Sequence, residues 1–529
     1  MAHQRELRRR RRAAHRGANR GAHHAAHHPP PSAAPAAQPG TELEVKLQVP
    51  DEAWDGVAQA MQAPDSRELP LHAVYLDTAD RRLAAAGIGL RVRREGGRWM
   101  QTLKARGTGW LDRLEDEMEI AAEEGEVPAP DLSRHADAMV EDLVRRALGL
   151  APLAPFPALE AVFEVRVLRR VRRLSQGESV VELALDEGVI EAGGRKLAVR
   201  ELELELLQGR AEDLLLLARR WRERHGLWLG WASKAARGHR LALGEPFAPA
   251  ATAVDVRWER GDTLGRFTAE VLAACLAQVA ANAAEIAAGS LDDDHVHQLR
   301  VGLRRLRTAL RELPLARPER GRCEPALVRA FRALGERRDR THVLRRIQPL
   351  VEAAGGPELQ LPPGFHEGED PAAVVRDGAF QDALLGLMVV TERLRPAGGG
   401  PVRRATRPAL GRLARQVLRD GRRFERLDDA RQHRVRKRLK RLRYLGEFLA
   451  PLYPAKRVQR YVARLKPVQQ ALGDYNDEAM ARQLYEELAG EDPGARFAAQ
   501  WLASRHQRLA LECRKALRKL QDARPFWEK

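Results

Sequence analysis

Between residues 41 and 243, acidic and basic side chains recur at every second position in a series of short runs. Glu42, Glu44 and Lys46 alternate with Leu43, Val45 and Leu47. Arg91 and Arg93 flank Val92, and Arg113, Glu115, Glu117 and Glu119 share one parity. Glu182 and Asp186 do the same, as do Glu201, Glu203 and Glu205. Period-two alternation is the signature of a β-strand, whose side chains point to opposite faces in turn, so each run puts its charges on one face. A single such strand is an ordinary wet surface. Many of them side by side repel one another, because like charges directly opposite are destabilising. A sheet closed on itself with its charges inside resolves the conflict, since cations and carboxylates then face each other across a lumen. A lumen of that kind would hold an anion on its Arg and Lys side chains and a divalent cation on its carboxylates. Hard oxygen ligands suit Mg²⁺ or Mn²⁺.

The elements that must position these charges follow from the same stretch. His72–Asp77 reads as a strand ending in a turn at Thr78–Asp80. Leu90–Arg94 and Trp99–Lys104 form a hairpin across Glu95-Gly96-Gly97. Residues 41–243 are therefore expected to be strand-rich, with one or two helices. Residues 1–40 are low-complexity, with Arg8–Arg12, paired histidines at 23–24 and 27–28, and a Pro/Ala stretch, so disorder is expected there. Gly244, Pro246 and Pro249 among small residues mark 244–257 as a linker. From residue 258 to 529 the period becomes helical, rich in Leu, Ala, Arg and Glu. The fold class expected is α+β: a charged-lumen barrel followed by an all-α unit.

The helical part repeats itself. His297, Arg300, Arg304, Arg305 and Arg307 line up with His433, Arg436, Lys440, Arg441 and Arg443, and Ala333-Leu334-Gly335…Asp339 with Ala471-Leu472-Gly473…Asp477; 136 residues separate the histidines and 138 the aspartates. Two motifs at nearly one offset indicate duplication and a pseudo-two-fold. On a helix, His297, Arg300, Arg304 and Arg307 form one stripe, and His433, Arg436, Lys440 and Arg443 or Tyr444, with Lys437 beside them, form its partner. Each stripe has almost no acidic neighbour in sequence, which points to a polyanion-binding surface.

The whole chain agrees with that chemistry. Its 529 residues suit about two to four domains. Lys and Arg outnumber Asp and Glu by 91 to 73, a surplus of +18 that calls for an acidic partner. Cys275, Cys323 and Cys513 are far apart, which argues against a zinc site or a disulfide framework and suits a reducing compartment. No uninterrupted apolar run approaches the ~20 residues of a membrane helix. The most apolar stretch, Val271–Gly289, is broken by Gln278, Asn282 and Glu285. Neither a Walker-type glycine loop nor a Ser/His/Asp arrangement is present. The helices lack the interleaved aromatics that stack bases, so nucleic acid is disfavoured as a partner.

The ordered set Glu42-x-Glu44-x-Lys46, Tyr75-x-Asp77-Thr78, Leu90-Arg91-x-Arg93, Thr102-Leu103-Lys104, Leu185-Asp186-x-Gly188 and Glu201–Glu205 resembles the CYTH family of triphosphate tunnel metalloenzymes. The resemblance implies an eight-stranded antiparallel barrel that binds a triphosphate inside and hydrolyses or transfers it with a divalent metal. By position, Lys46, Arg91, Arg93 and Lys104 would grip phosphate oxygens, with Arg113 added to that set. Glu42, Glu44, Asp186, Glu201, Glu203 and Glu205 would hold the metal or orient water. Arg170 matches the mid-tunnel arginine, with Arg166 or Arg172 as alternatives, and Lys234 matches the late lysine. The duplicated helical motifs resemble the CHAD domain, which implies a bundle binding inorganic polyphosphate. The function expected is metal-dependent hydrolysis of inorganic triphosphate next to a polyphosphate-binding module, in the cytoplasm or at polyphosphate granules. A non-enzymatic polyphosphate receptor, an adenylate cyclase and an organic triphosphatase are the alternatives. Inorganic triphosphate leads because no aromatic slot for a base is evident, Trp99 and Trp110 being the nearest aromatics.

Overall fold

Alternation and turn chemistry build the first half. In the computed structural model, which describes residues 41–106, 112–121, 126–135, 138–259, 261–359, 368–490 and 492–528, its strands are β1 (Thr41–Gln48), β2 (Arg67–Asp77), β3 (Ile88–Glu95), β4 (Arg98–Arg106), β5 (Asp112–Ile120), β6 (Glu160–Gln176), β7 (Ser179–Ala192), β8 (Arg195–Gln208) and β9 (Trp228–Gly230). Its helices are α1 (Trp54–Met61), α2 (Arg82–Ala85), α3 (Ala138–Leu148), α4 (Ala211–His225) and α5 (Lys234–Leu243). The tail 1–40, with its Arg and His runs, lies outside the described residues, and so does Trp110.

The antiparallel strands run in the order β5-β4-β3-β2-β6-β7-β8-β1-β9, and β1 also returns to β5. That seam is three residue pairs long, Thr41–Leu43 against Asp112–Leu114, while Glu44–Gln48 pairs with β8. Eight strands are thus linked in a ring by a short seam, rather than sealed along their length, and β9 is an addition to the eight expected. The β3–β4 hairpin forms where expected, with Gly96 and Gly97 both at positive φ (55° and 87°), as a two-residue turn between twisted strands requires.

Period two then sorts the side chains. The outward aliphatics Val45, Leu47, Leu202 and Leu204 join α4 in an apolar core that continues into Phe267, Leu272, Leu384 and Leu387 of the helical half. Val74, Leu76, Leu90, Val92 and Leu103 pack with Val140, Val144 and Leu148 of α3. The inner face is apolar at one end, where Tyr75, Phe163, Val165, Ile190 and Val199 pack near α5, and charged elsewhere. Helix α5 approaches closely because Gly238 faces Phe163, where a Cβ would come within 2.1 Å of the ring.

The second half consists of α6 (Leu264–Ala287), α7 (Asp293–Glu312), α8 (Arg320–Ala353), α9 (Pro371–Arg376), α10 (Gly378–Leu394), α11 (Val402–Gly421), α12 (Asp429–Leu449), α13 (Ala455–Leu488) and α14 (Pro493–Leu520). The duplication is visible in length: α8 and α13, which carry the two Ala-Leu-Gly motifs, each have 34 residues. It is visible in bonding too. Arg305 of α7 pairs with Glu447 of α12 at 2.9 Å, and Arg441 of α12 pairs with Glu312 of α7 at 3.1 Å, so the two copies exchange the same interaction. Helix α6 is apolar and long enough to cross a membrane, but it is largely buried in the core.

The halves are joined by more than apolar packing. Arg219 of α4 grips Asp382 of α10, Glu212 pairs with Arg393 at 2.5 Å, and the Leu229 N–H donates to Gln381 Oε1 at 2.9 Å. The expected linker is a strap laid along α6. The Ala251 N–H donates to Asn282 Oδ1 at 3.0 Å and its carbonyl accepts from Asn282 Nδ2 at 2.9 Å. His295 meets the Ala248 carbonyl at 2.8 Å. Of the polar residues that interrupt the apolar stretch of α6, Asn282 and Glu285 thus hold this segment, while Gln278 bonds Gln298 of α7.

Candidate functional site

The charged part of the ring encloses a cavity of about 880 Å³. Glu42, Glu44 and Lys46 all point into it, since β1 turns its aliphatic residues outward. Among the described residues, ten cationic and ten acidic side chains line the cavity. Lys46 bridges Glu44 (2.5 Å) and Glu203 (2.7 Å), its cross-strand partner. Lys104 bridges Glu42 (2.6 Å) and Glu115 (3.1 Å). Lys234, at the start of α5, reaches Asp186 (2.6 Å), Glu203 (3.0 Å) and Glu201. Arg93 lies between Glu95 and Glu117, and Arg91 reaches the Tyr75 hydroxyl at 3.4 Å.

Burial makes these pairs matter, because a charge removed from water needs a partner. Asp186 and Glu201 are fully buried, and Lys46 is 7% exposed. Burial opposes the Lys46 charge, yet Glu203 and Glu44 hold its pKa above the ordinary range. Lys234 is raised in the same way by Asp186 and Glu201. Burial pushes the Glu42 carboxyl up, but Lys104, with Lys46 behind it, outweighs burial and holds it at about 2. Glu205 goes the other way: burial, reinforced by Glu42 and Glu115, pushes it up to about 8. It stands directly opposite Glu44 on the paired strand, so two inward carboxylates meet there.

The expectation for the tunnel arginine changes. Arg170 faces outward and is held by Glu68 and the Ala58 carbonyl. The tunnel position belongs to Arg169, which donates to both Asp186 oxygens at 2.7 Å and to Glu203 at 2.6 Å. In a run as arginine-rich as β6, only the strand's phase decides which arginine is inside, and odd-numbered residues face the lumen. Of the two alternatives, Arg166 is on the outer face with Glu191 and Glu164, while Arg172 borders the cavity at its rim and bonds the Ala60 carbonyl. Arg237, which pairs with Glu201, and Gln48, which reaches the same carboxylate at 3.2 Å, went unread; neither belongs to a charged alternation. Arg113 is paired in register with Glu42, but its side chain lies outside the described residues.

Among the described residues, Asp186, Glu201 and Glu203 bring one oxygen each within 4.8 Å of one another, a set that could hold a metal ion. All are hard oxygen donors, so the fit is to a hard divalent cation. Lys234 already reaches all three, which makes its ammonium the present counter-charge of this triad.

The helical half has a second constellation. His297, Arg304, Arg305, Lys440, Arg443 and Tyr444 line one cleft of about 540 Å³, together with the strap from Ala253 to Val256. Burial, with Arg436 and Arg304 adjacent, pushes Lys440 down to about 6. Burial and the charges of Lys437 and Arg436 lower His433 as well. Arg300 lies over the Phe331 ring at 4.8 Å. The stripes are less bare of acids than their sequence suggests. Glu447 holds Arg305 and Arg443, Glu312 holds Arg441, and Glu324 holds Arg307 and Arg311; all three acids come from outside the motif. Arg441 faces a different cavity, of about 610 Å³, with Arg311, Arg317, Arg320, Arg412 and Arg438. Lys437 is close to Arg307, Arg311 and Arg441. The basic residues of α7 and α12 therefore divide between two surfaces. The Asp339 side chain lies outside the described residues, whereas Asp477 pairs with Arg346 at 2.8 Å.

A charged tunnel ring followed by a duplicated basic bundle defines the class, and family comparison agrees. The chain contains a CYTH domain over residues 40–239 and a CHAD domain over residues 270–486. Over 182 residues it is 28% identical to the inorganic triphosphatase of Haemophilus influenzae, covering 34% of this chain; it spans about half (47%) of that relative's length. Among solved structures, the CHAD domain of the plant Ricinus communis matches at 23% identity and a TM-score of 0.41, over 53% of this chain and 96% of the other. A putative adenylyl cyclase from Hippeastrum, described as having a dominant triphosphatase activity, matches at 21% and 0.27, over 39% and 98%.

Proposed function

We propose that the barrel hydrolyses inorganic triphosphate with Mg²⁺ or Mn²⁺, and that the helical half binds inorganic polyphosphate along α7 and α12. The observation that carries the first part is the charge-balanced lumen. A triphosphate placed there takes Lys46, Arg91, Arg93, Lys104, Arg169 and Lys234 as partners for its oxygens, and each cation that turns to phosphate leaves a carboxylate without its counter-charge. Glu44 and Glu205, opposite each other on β1 and β8, would hold the metal with Glu42 and Glu203 beside them. A bound divalent ion supplies charge neutralisation and a lower pKa for water. The chain itself provides positioning, which is most of what phosphoryl transfer asks of a protein.

The family of the domain and the triphosphatase relative support this reading. Inorganic triphosphate is preferred over a nucleotide because, among the described residues, the rings lining the lumen are engaged elsewhere: Tyr75 is buried, stacked on Phe163 at 4.5 Å and bonded to Arg91, and His239 packs against the same Phe163. The test is phosphate release from triphosphate, ATP and thiamine triphosphate with either metal. Triphosphate turnover that Glu42→Ala and Lys46→Ala leave unchanged refutes the tunnel as active site. On the same reading we place the protein in the cytoplasm at polyphosphate granules, which imaging of a tagged copy checks.

A further inference from the structure

One segment of the chain borders both constellations. Glu245, Ala248 and Pro249 line the tunnel cavity, and Ala253, Val254, Asp255 and Val256 line the basic cleft between α7 and α12. Three residues lie between Pro249 and Ala253, so the two linings are four Cα steps, at most about 14 Å, apart along the strap. The strap does not swing. Asn282 clamps Ala251 through both its N–H and its carbonyl, Glu285 accepts from the Ala248 N–H at 3.3 Å, and His295 holds the Ala248 carbonyl. The cleft cannot drift from the tunnel either, because the outer aliphatics of β1 and β8 share one core with α6, α7 and α10. Between the linings the side chains are small, Ala250, Ala251 and the exposed Thr252, and neither acidic nor bulky.

We propose that the barrel takes the terminus of a linear polyphosphate whose following units lie across residues 250–252 and in the cleft, so that its substrates include chains longer than triphosphate. The inference rests on the tunnel being a triphosphatase site. The step is ordinary hydrolysis. A water oxygen bonds to phosphorus near the chain end, the bridging P–O bond breaks, the bridging oxygen leaves with the other phosphate group, and the water's proton passes to solvent. What the geometry adds is a second set of contacts that only a long chain reaches, made by Arg304, Lys440 and Arg443 outside the tunnel. Binding energy from such remote contacts raises kcat/KM for the substrate that makes them.

The test places charge on the strap. Full-length wild type, Thr252→Glu, Thr252→Gln and Thr252→Arg are assayed for phosphate release from triphosphate and from sodium polyphosphate of some tens of units. The expected result is a kcat/KM for the long chain that falls about fivefold in Thr252→Glu, from like charge beside the path. It should change little in Thr252→Gln and not fall in Thr252→Arg, with triphosphate turnover equal in all four. Equal long-chain kcat/KM in Thr252→Glu and wild type, or no long-chain turnover by an enzyme active on triphosphate, overturns the inference and leaves the triphosphatase reading standing. No triphosphate turnover in wild type removes that reading, and the inference with it.

Discussion

The tunnel and the cleft are both basic, but they handle their cations in opposite ways. In the tunnel the cations are balanced by acids: ten cationic side chains accompany ten acidic ones among the described residues, and Lys46 and Lys234 are held above their ordinary pKa by buried carboxylates. In the cleft, the acids lining the wall beside Arg304, Arg305, Lys440 and Arg443 are Asp255 and Glu447 among the described residues, and Lys440 is pushed down to about 6 by burial and by Arg436 and Arg304, against the pull of Asp477. On the proposed function, the difference separates two kinds of anion site. A matched lumen exchanges partners when phosphate enters, and the exchange leaves carboxylates in need of a cation, which couples anion binding to metal binding. On the same proposal the cleft, where Glu447 holds Arg305 and Arg443 but Lys440 is left among cations, would take its anion with uptake of a proton.

The largest expected effect breaks the matching in the tunnel. Lys46→Ala leaves Glu44 and Glu203 without a shared cation, and Glu42→Ala removes the nearer of the two partners of Lys104. Each should lower triphosphate turnover by about 10²-fold or more, since preorganised charge at a phosphoryl group is worth that much. Thermal unfolding of both variants separates lost chemistry from lost fold. Next comes the phase of β6: Arg169→Ala should cost about tenfold or more in kcat/KM, because the buried Asp186 and its neighbour Glu203 lose a shared donor. Arg170→Ala should stay within about twofold, as an outer pair with Glu68 is partly in water. Equal losses in the two variants would reverse the assignment of the inner face.

The cleft gives smaller effects. Lys440→Glu should weaken polyphosphate binding roughly tenfold and flatten its salt dependence by about one phosphate contact. The pH effect has a definite sign. Lys440 is mostly neutral above about pH 6 in the free protein, and a bound polyanion raises its pKa, so binding at pH 7–8 takes up a proton and affinity falls as pH rises through that window. Calorimetry in buffers of different ionisation enthalpy reads the uptake. Lys440→Arg, which keeps the charge at all these pH values, should reduce it by up to one proton, and uptake unchanged in that variant would show that Lys440 is not the group that titrates.

Much of this was readable before any coordinates. The Glu42–Lys46 alternation is a period-two pattern, and period depends on local geometry alone, so the faces of β1, β3 and β8 follow from their residues. The Gly96-Gly97 hairpin is local too, and the histidine and Ala-Leu-Gly repeats reveal the duplication by their spacing. Other features are decided at longer range. Which arginine of Val165–Arg173 lies inside depends on the register of β6 with β2 and β7, because five arginines fill both parities of the run. The acids that tie down Arg305, Arg441 and Arg311 come from Glu447, Glu312 and Glu324, brought in by the crossing of α7 and α12 and by the start of α8. Sequence neighbours do not show them.

The Glu42–Lys46 strand thus declared by itself which of its side chains share a face, and the two histidine-led stripes declared the duplication, though the fold divides their basic residues between two surfaces. Tertiary structure alone decided their partners. A buried charge takes its pKa and its role from whatever faces it across the lumen or the helix crossing, and the stretch 244–257, read as a linker for want of pattern, became the strap between the two sites because Asn282, Glu285 and His295 were waiting on α6 and α7 to hold its backbone.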